Sequence, residues 1–290
     1  MYASNGAVEI AYDDLGGAGG EPLLLVMGLG ASRVWWPAGF VSALVAGGFH
    51  VVAYDQRDSG ESTHFTDAPT VSPLAGLFRR RAVAYTAEDM TDDAIAVMDA
   101  VGWDSAHLFG HSLGGLLTQR IALRHPARVR TITVSASMPS DTRGLAQLRY
   151  VQLRFVKFAA GLGTEDHVAS GVALSRYISS PGYPFDEEHA RQAVEREIAV
   201  SAGIQDAGAQ GRQTGAPWSG GRLREIAAPT LVLHGEQDPV VQASAARTTA
   251  AAIPGARLVT FPGVGHDLPA ALWPRITEEM KALVNTREWQ

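Results

Sequence analysis

Short apolar runs, each ended by a turn-forming residue, recur along this chain with helical patterns between them. Leu23-Leu24-Leu25-Val26-Met27 stops at Gly28, His50-Val51-Val52-Ala53-Tyr54 at Asp55, and Ala106-His107-Leu108-Phe109 at Gly110. Thr131-Ile132-Thr133-Val134 stops at Ser135, Thr230-Leu231-Val232-Leu233-His234 at Gly235, and Arg257-Leu258-Val259-Thr260-Phe261 at Pro262. Runs that are apolar on both faces are the pattern of buried parallel strands. Between them, residues 87–101 place Met90, Ala94, Val97, Met98 and Val101 at three- and four-residue spacing, and 113–123 and 270–284 read similarly. Strand–helix alternation predicts an α/β fold: a mostly parallel, doubly wound sheet with right-handed crossovers. The polar alternation of residues 7–13 predicts an edge hairpin ahead of the parallel part.

The rhythm lapses after Ala136 and resumes near Ala228. The stretch between has helical patterns at 145–160 and 186–201, a tail at 208–221 rich in Gly, Gln and Thr, and no strand. The expected division is therefore a first part of the core at 1–135, a helical cap at 136–227 inserted between two strands, and a second part of the core at 228–290. Such a cap would lie over the carboxyl ends of the strands, where open α/β sheets bind ligands.

Composition removes several functions. With 46% hydrophobic residues, the 290-residue chain has ample material for a core and is not disordered. A net charge of −6 disfavours nucleic acid, whose phosphates need clustered Lys and Arg. The absence of cysteine excludes disulfides, thiol catalysis, Cys-ligated zinc and iron–sulfur clusters. It also fits a reducing compartment, and a cytoplasmic protein is expected. The first twenty residues carry Glu9, Asp13 and Asp14 but no Lys or Arg, so no signal peptide is read there. No apolar stretch near the start approaches the ~20 residues of a membrane span. Arg79-Arg80-Arg81 reads as a solvated face.

Gly110-His111-Ser112-Leu113-Gly114 fits GxSxG between a strand and a helix, the context of a nucleophile elbow. The turn is so tight that flanking Cβ atoms would clash, and the helix behind it aims its N-terminus at the Ser112 hydroxyl. A serine hydroxyl needs a base, and the base needs an orienting acid. Both follow in the order Ser, acid, His. Asp238 lies in Gly235-Glu236-Gln237-Asp238-Pro239 and His266 in Gly263-Val264-Gly265-His266-Asp267, each after a strand. Glu236 is the rival acid, and Asp238 has the alternative role of capping a helix from about Pro239. His111 is expected to pack beside the serine, and His107 and His234 to sit in strands. His50, His64, His125, His167 and His189 have no acidic partner at metal-ligand spacing, so no metal is inferred.

Negative charge developing on a carbonyl oxygen needs two fixed N–H donors. One is the Leu113 N–H, next after the nucleophile. The other is the Leu29 N–H in Met27-Gly28-Leu29-Gly30, where two glycines let the backbone turn inward. The third glycine of a dinucleotide fingerprint is missing, and no cofactor is expected. The charged, turn-rich Asp55-Gln56-Arg57-Asp58-Ser59-Gly60-Glu61-Ser62 reads as scaffold, with Arg57 pairing with carboxylates or carbonyls below the site.

Met27 to Gly30, Asp55 to Ser62, the Ser112 elbow, Asp238 and His266 together resemble the α/β-hydrolase superfamily over nearly the whole chain. Within it, Leu23 to Gly28, Tyr54 to Ser62, Asp92 to Gly114 and Pro184-Phe185-Asp186 resemble the aclacinomycin methylesterase type. Leu113 stands where Met is commoner, Leu29-Gly30 where that type has Gly-Asn, and residues 64–84 are longer. The resemblance implies a serine hydrolase of a carboxylic ester, a methyl ester of a hydrophobic metabolite among the candidates. Ser112, Asp238 and His266 would be its triad, and Leu29 and Leu113 its oxyanion donors. The same triad serves cofactor-free haloperoxidases or perhydrolases and carbon–carbon bond hydrolases, and a ligand receptor can be built on the same scaffold. An apolar pocket is expected, with Trp35, Trp36 and Met138 as substrate-binding residues. The oligomeric state is left open.

Overall fold

The computed structural model describes residues 1–68, 84–142, 144–162, 166–201 and 208–285. Eight strands form one sheet: β1 (Tyr2–Asn5), β2 (Val8–Gly16), β3 (Glu21–Val26), β4 (Phe49–Tyr54), β5 (Ala106–His111), β6 (Val129–Ser135), β7 (Thr230–Gly235) and β8 (Arg257–Phe261). Their order is β1-β2-β4-β3-β5-β6-β7-β8. The first two strands form the expected hairpin, which joins β4 antiparallel; every other pairing is parallel.

Alternation along the strands divides the core between the two faces. Leu24 and Val26 of β3 join Leu108 of β5 on one side; Leu23 and Leu25 join Phe109 on the other. The first side is covered by α2 (Ala87–Val101) and α3 (Leu113–Arg124), which contribute Met90, Val97, Leu117 and Ile121. The second is covered by α1 (Ala38–Ala46) and α9 (Trp273–Asn285), through Phe40, Leu44, Ile276 and Met280. Burying both faces explains why these strands read as unbroken apolar runs. The α2 boundaries follow from local chemistry. Thr86 and Asp89 form a reciprocal capping box at its start, and Gly102, at φ 80°, ends it in a left-handed conformation.

Between β6 and β7 lie α4 (Leu153–Ala160), α5 (His167–Ile178), α6 (Glu187–Val200) and α7 (Ala209–Gly215). An isolated bridge between Val151 and Val241 ties the base of this insertion to the core. At the crossing of α5 and α6, a Cβ on Gly171 would stand 2.6 Å from the Val194 side chain, so only glycine allows the approach. The expectations for 64–84 and for Arg79 to Arg81 fall largely or wholly outside the described residues.

The sheet order reverses between β3 and β5. The connection from β3 leads to β4 on one side, and the chain leaving β5 leads to β6 on the other. The loops that follow these two strands therefore diverge and leave a crevice at their carboxyl ends. Val26 and Gly110 are register partners at its edge.

Candidate active site

Ser112 stands where β5 turns into α3, with φ 56° and ψ −119°. That region favours glycine, so a side chain there is strained. The neighbours show why the turn is so tight. A Cβ on Gly110 would lie 2.2 Å from the Gly114 carbonyl oxygen, and one on Gly114 would lie 1.9 Å from the Val26 carbonyl oxygen. The start of α3 thus rests on the end of β3, and the serine is lifted to the rim of the crevice.

His266, in the loop after β8, places Nε2 3.0 Å from Ser112 Oγ and Nδ1 2.7 Å from Asp238 Oδ2. An ionised carboxylate can only accept, so Nδ1 carries the proton and Nε2 faces the hydroxyl as an acceptor. Asp238 is buried, and its Oδ1 accepts from the N–H groups of Val240, at 2.7 Å, and Val241, at 2.8 Å. Burial alone would raise its pKa, but the charge and hydrogen bond of His266 prevail and hold the carboxyl below its ordinary value. The helix expected from about Pro239 is absent: α8 (Ala243–Ala252) begins later with Gln242 as its N-cap, so Asp238 caps nothing. Glu236 instead accepts from Thr260 Oγ1 at 2.9 Å, on the exposed side.

His111 does pack beside the serine. Its ring lies 5.1 Å from that of His266, and its Nδ1 is 3.1 Å from Ser135 Oγ. Burial, then the adjacent His266, push its pKa down to about 3, so it is neutral. His234, in β7, is likewise pushed down by burial; its Nε2 donates to the Val241 carbonyl. His50 and His125 do meet acids, Asp14 at 2.9 Å and Asp92 at 2.8 Å, pairs far apart in sequence that no local spacing reveals. Each meets a single carboxylate, and no cluster of three metal-ligating side chains occurs among the described residues.

The other wall of the crevice is the 27–32 loop. A Cβ on Gly28 would lie 3.2 Å from Ser112 Cβ, which measures how closely the loop approaches the serine. Gln56 Nε2 donates to the Met27 carbonyl, and Asp55 Oδ1 accepts from the Arg33 N–H at 2.6 Å. The Asp55 to Ser62 stretch is thus scaffold, as read from sequence. Arg57 forks onto buried Asp93, with Nε and Nη2 each 2.6 Å from a carboxylate oxygen. Among the described residues the Leu29 N–H has no acceptor, and Leu113 is the first residue of α3, where N–H groups lack intrahelical partners. Gln213 and Glu197, which sequence reasoning missed, also hold this loop: Gln213 Oε1 accepts from the Gly30 N–H at 3.2 Å, and Glu197 Oε2 from the Ser32 N–H at 3.1 Å.

Trp36, expected among the substrate-binding residues, packs chiefly into the core. It is buried with its ring 5.6 Å from that of Phe109 and 6.0 Å from that of Phe40, inside the core under α1. The residues that follow turn the chain into α1 and draw the indole down between the helix and the sheet. Trp35 is half-buried against the same cluster, and Met138 lies half-buried against Tyr150, Val241 and Ala245 where insertion meets core.

Residues 21–269 match the family described as the alpha/beta hydrolase fold. Rhodomycin D methylesterase DauP of Streptomyces sp. (strain C5) is 31% identical over 287 residues, 91% of each chain. Rhodomycin D methylesterase DnrP of Streptomyces peucetius is 31% identical over 293 residues, 93% of this chain and 92% of that one. The solved structure of the esterase RhEst1 from Rhodococcus sp. ECU1013 superposes with a TM-score of 0.73 at 22% identity, covering 98% and 97% of the two chains, a likeness of fold. The chain belongs to the α/β-hydrolase family. Within that family it falls among the serine ester hydrolases, and the resemblance to the methylesterase type read from its sequence is borne out.

Proposed function

We propose that this chain cleaves a carboxylic ester, a methyl ester of a hydrophobic metabolite being the favoured substrate, with Ser112 as nucleophile, His266 as base and Asp238 as orienting acid. The observation that carries the reading is the continuous hydrogen-bonded series from Ser112 through His266 to Asp238, at 3.0 and 2.7 Å, beneath a strained elbow. Support for the substrate comes from the two methylesterase relatives. Residues 136–227 act as the cap, and Trp35 and Met138 line the substrate side. The cysteine-free composition accords with a cytoplasmic setting.

In acylation, His266 Nε2 takes the Ser112 proton as Oγ attacks the carbonyl carbon. The resulting oxyanion receives the Leu29 and Leu113 N–H groups, and the imidazolium is stabilised by Asp238. Collapse expels the alcohol, which takes its proton from His266. Water then repeats the sequence on the acyl-enzyme and releases the acid.

Ser112→Ala should lower turnover of a methyl ester by at least about 10³-fold while the protein stays folded. A phosphonate should label Ser112. Asp238→Asn should be far more damaging than Glu236→Gln. Ester hydrolysis by the Ala variant, or labelling at another serine, would remove the assignment.

A further inference from the structure

The 27–32 loop is gripped from two sides. The core holds its ends, through Gln56 on the Met27 carbonyl and Asp55 on the Arg33 N–H. The middle is held by the insertion. Gln213 Oε1 accepts from the Gly30 N–H at 3.2 Å, while its Nε2 donates to the Arg57 carbonyl at 2.8 Å and to Ser59 Oγ at 3.0 Å. The Gln213 amide is buried and bridges the two core loops that follow β3 and β4. Glu197 Oε2, from α6, accepts from both the Ser32 N–H, at 3.1 Å, and the Ser32 hydroxyl, at 2.6 Å. Gly30 has φ +65°, and a Cβ on it would stand 2.4 Å from the Gln210 side-chain nitrogen, so α7 closes directly over this turn.

The helix that presents Gln213 is itself pinned. Arg212 Nε and Nη2 each lie 2.8 Å from a carboxylate oxygen of buried Asp58, which also accepts from Tyr85 Oη at 2.7 Å. Leu29 lies between Gly28, against Ser112, and Gly30, against Gln213. The Gly30 N–H is committed to Gln213, whereas the neighbouring Leu29 N–H has no acceptor among the described residues.

We infer that Gln213 is a positioning residue: by holding the Gly30 N–H it fixes the Leu29–Gly30 peptide and with it the turn at Leu29, so that the Leu29 N–H on the other side of that Cα meets the developing oxyanion, and the insertion thereby completes the oxyanion hole. The inference rests on the ester-hydrolase reading above. A donor fixed before reaction costs no reorganisation in the transition state, whereas a wandering loop does. Loss of Gln213 should therefore be felt in kcat and in the binding of tetrahedral adducts, and little in KM.

The test compares Gln213→Met, which removes the acceptor at similar size, with Gln213→Glu, which keeps an acceptor toward Gly30. Methyl-ester kinetics are measured together with inhibition by an alkyl boronic acid, which forms a tetrahedral adduct on serine. Gln213→Met should lose about tenfold or more in kcat with KM within about twofold, and bind the boronic acid weaker by a similar factor. Gln213→Glu should recover at least half of that loss on a logarithmic scale. If Gln213→Met does not fold, Gln213→Asn, too short to reach the Gly30 N–H, replaces it under the same thresholds. A kcat loss below about threefold, a loss confined to KM, or a Glu variant as impaired as Met would overturn the inference. Ser112→Ala and phosphonate labelling run alongside. If these behave as expected while Gln213→Met is unimpaired, only the positioning role falls. If Ser112→Ala hydrolyses the ester, the enzymatic reading falls with it.

Discussion

Ser112 combines chemistry and strain in one residue. Its φ of 56° with ψ of −119° suits glycine, and the flanking Gly110 and Gly114 permit the turn but do not relieve it. The rest of the fold supplies the stability that holds the serine there. Ser112→Gly should accordingly be more stable than Ser112→Ala, by about 1 kcal/mol, because relief of the strain exceeds the extra chain entropy glycine gains when unfolded. Both variants would lack the nucleophile, so urea melts of the pair isolate the backbone effect. A glycine variant less stable than the alanine variant would mean that the turn is unstrained.

At the scale of elements, β5 alone turns directly into its helix at Ser112, while β3, β7 and β8 reach theirs through longer loops. Where helices differ, it is in what flanks them. The residues leading into α1 carry Trp36 down against Phe40 and Phe109, whereas Trp35 is only half-buried against the same cluster. Trp36→Ala would open a cavity between α1 and the sheet and should cost about 3–5 kcal/mol, with the order of preference among esters unchanged. Trp35→Ala should do the opposite, shifting preference more than the melting temperature. Thermal melts beside an ester panel separate the two, and a stable Trp36→Ala protein with altered preference would return that indole to the pocket.

At the scale of the whole molecule, pH acts through several buried groups at once. His111 and His234 have folded pKa values pushed below the 6.5 of a free imidazole, His111 to about 3, chiefly by burial. In the folded state they bind fewer protons than in the unfolded chain. Their contribution is complete above pH about 6.5 and is lost as the pH falls below it. Asp238, held below its ordinary value, adds a loss at still lower pH. Asp55, Asp93, Glu197 and Asp267 oppose this trend, since burial raises their carboxyls and the folded state takes up protons first. A single-site comparison isolates the imidazole. The stability advantage of the wild type over His111→Gln should shrink between pH 7 and pH 5, at a slope of up to about 1.4 kcal/mol per pH unit. Urea titrations at several pH values measure it, and a difference independent of pH would show that His111 is not held neutral.

The features that local chemistry dictates were legible in the order of the residues. Unbroken apolar runs marked the strands of the core and period-3.6 patterns its helices, because a strand buried on both faces is apolar throughout whereas a helix buries one face. Gly110, Ser112 and Gly114 announced the elbow as a local motif: Gly110 avoids a clash with its near neighbour Gly114, while Gly114 makes room for the Val26 carbonyl, distant in the chain. The order of Ser112, Asp238 and His266 was legible for the same reason: each closes a recognisable strand. The choice between Glu236 and Asp238 was already a matter of how one loop turns, and the sequence could rank the two but not aim them. Tertiary structure alone decided the rest. Gln213 meets Gly30 across 183 residues, and Glu197 meets Ser32 across 165. No periodicity encodes such a pair, since a buried amide or carboxylate takes whatever donor the packed chain brings to it, and packing is settled by every contact at once.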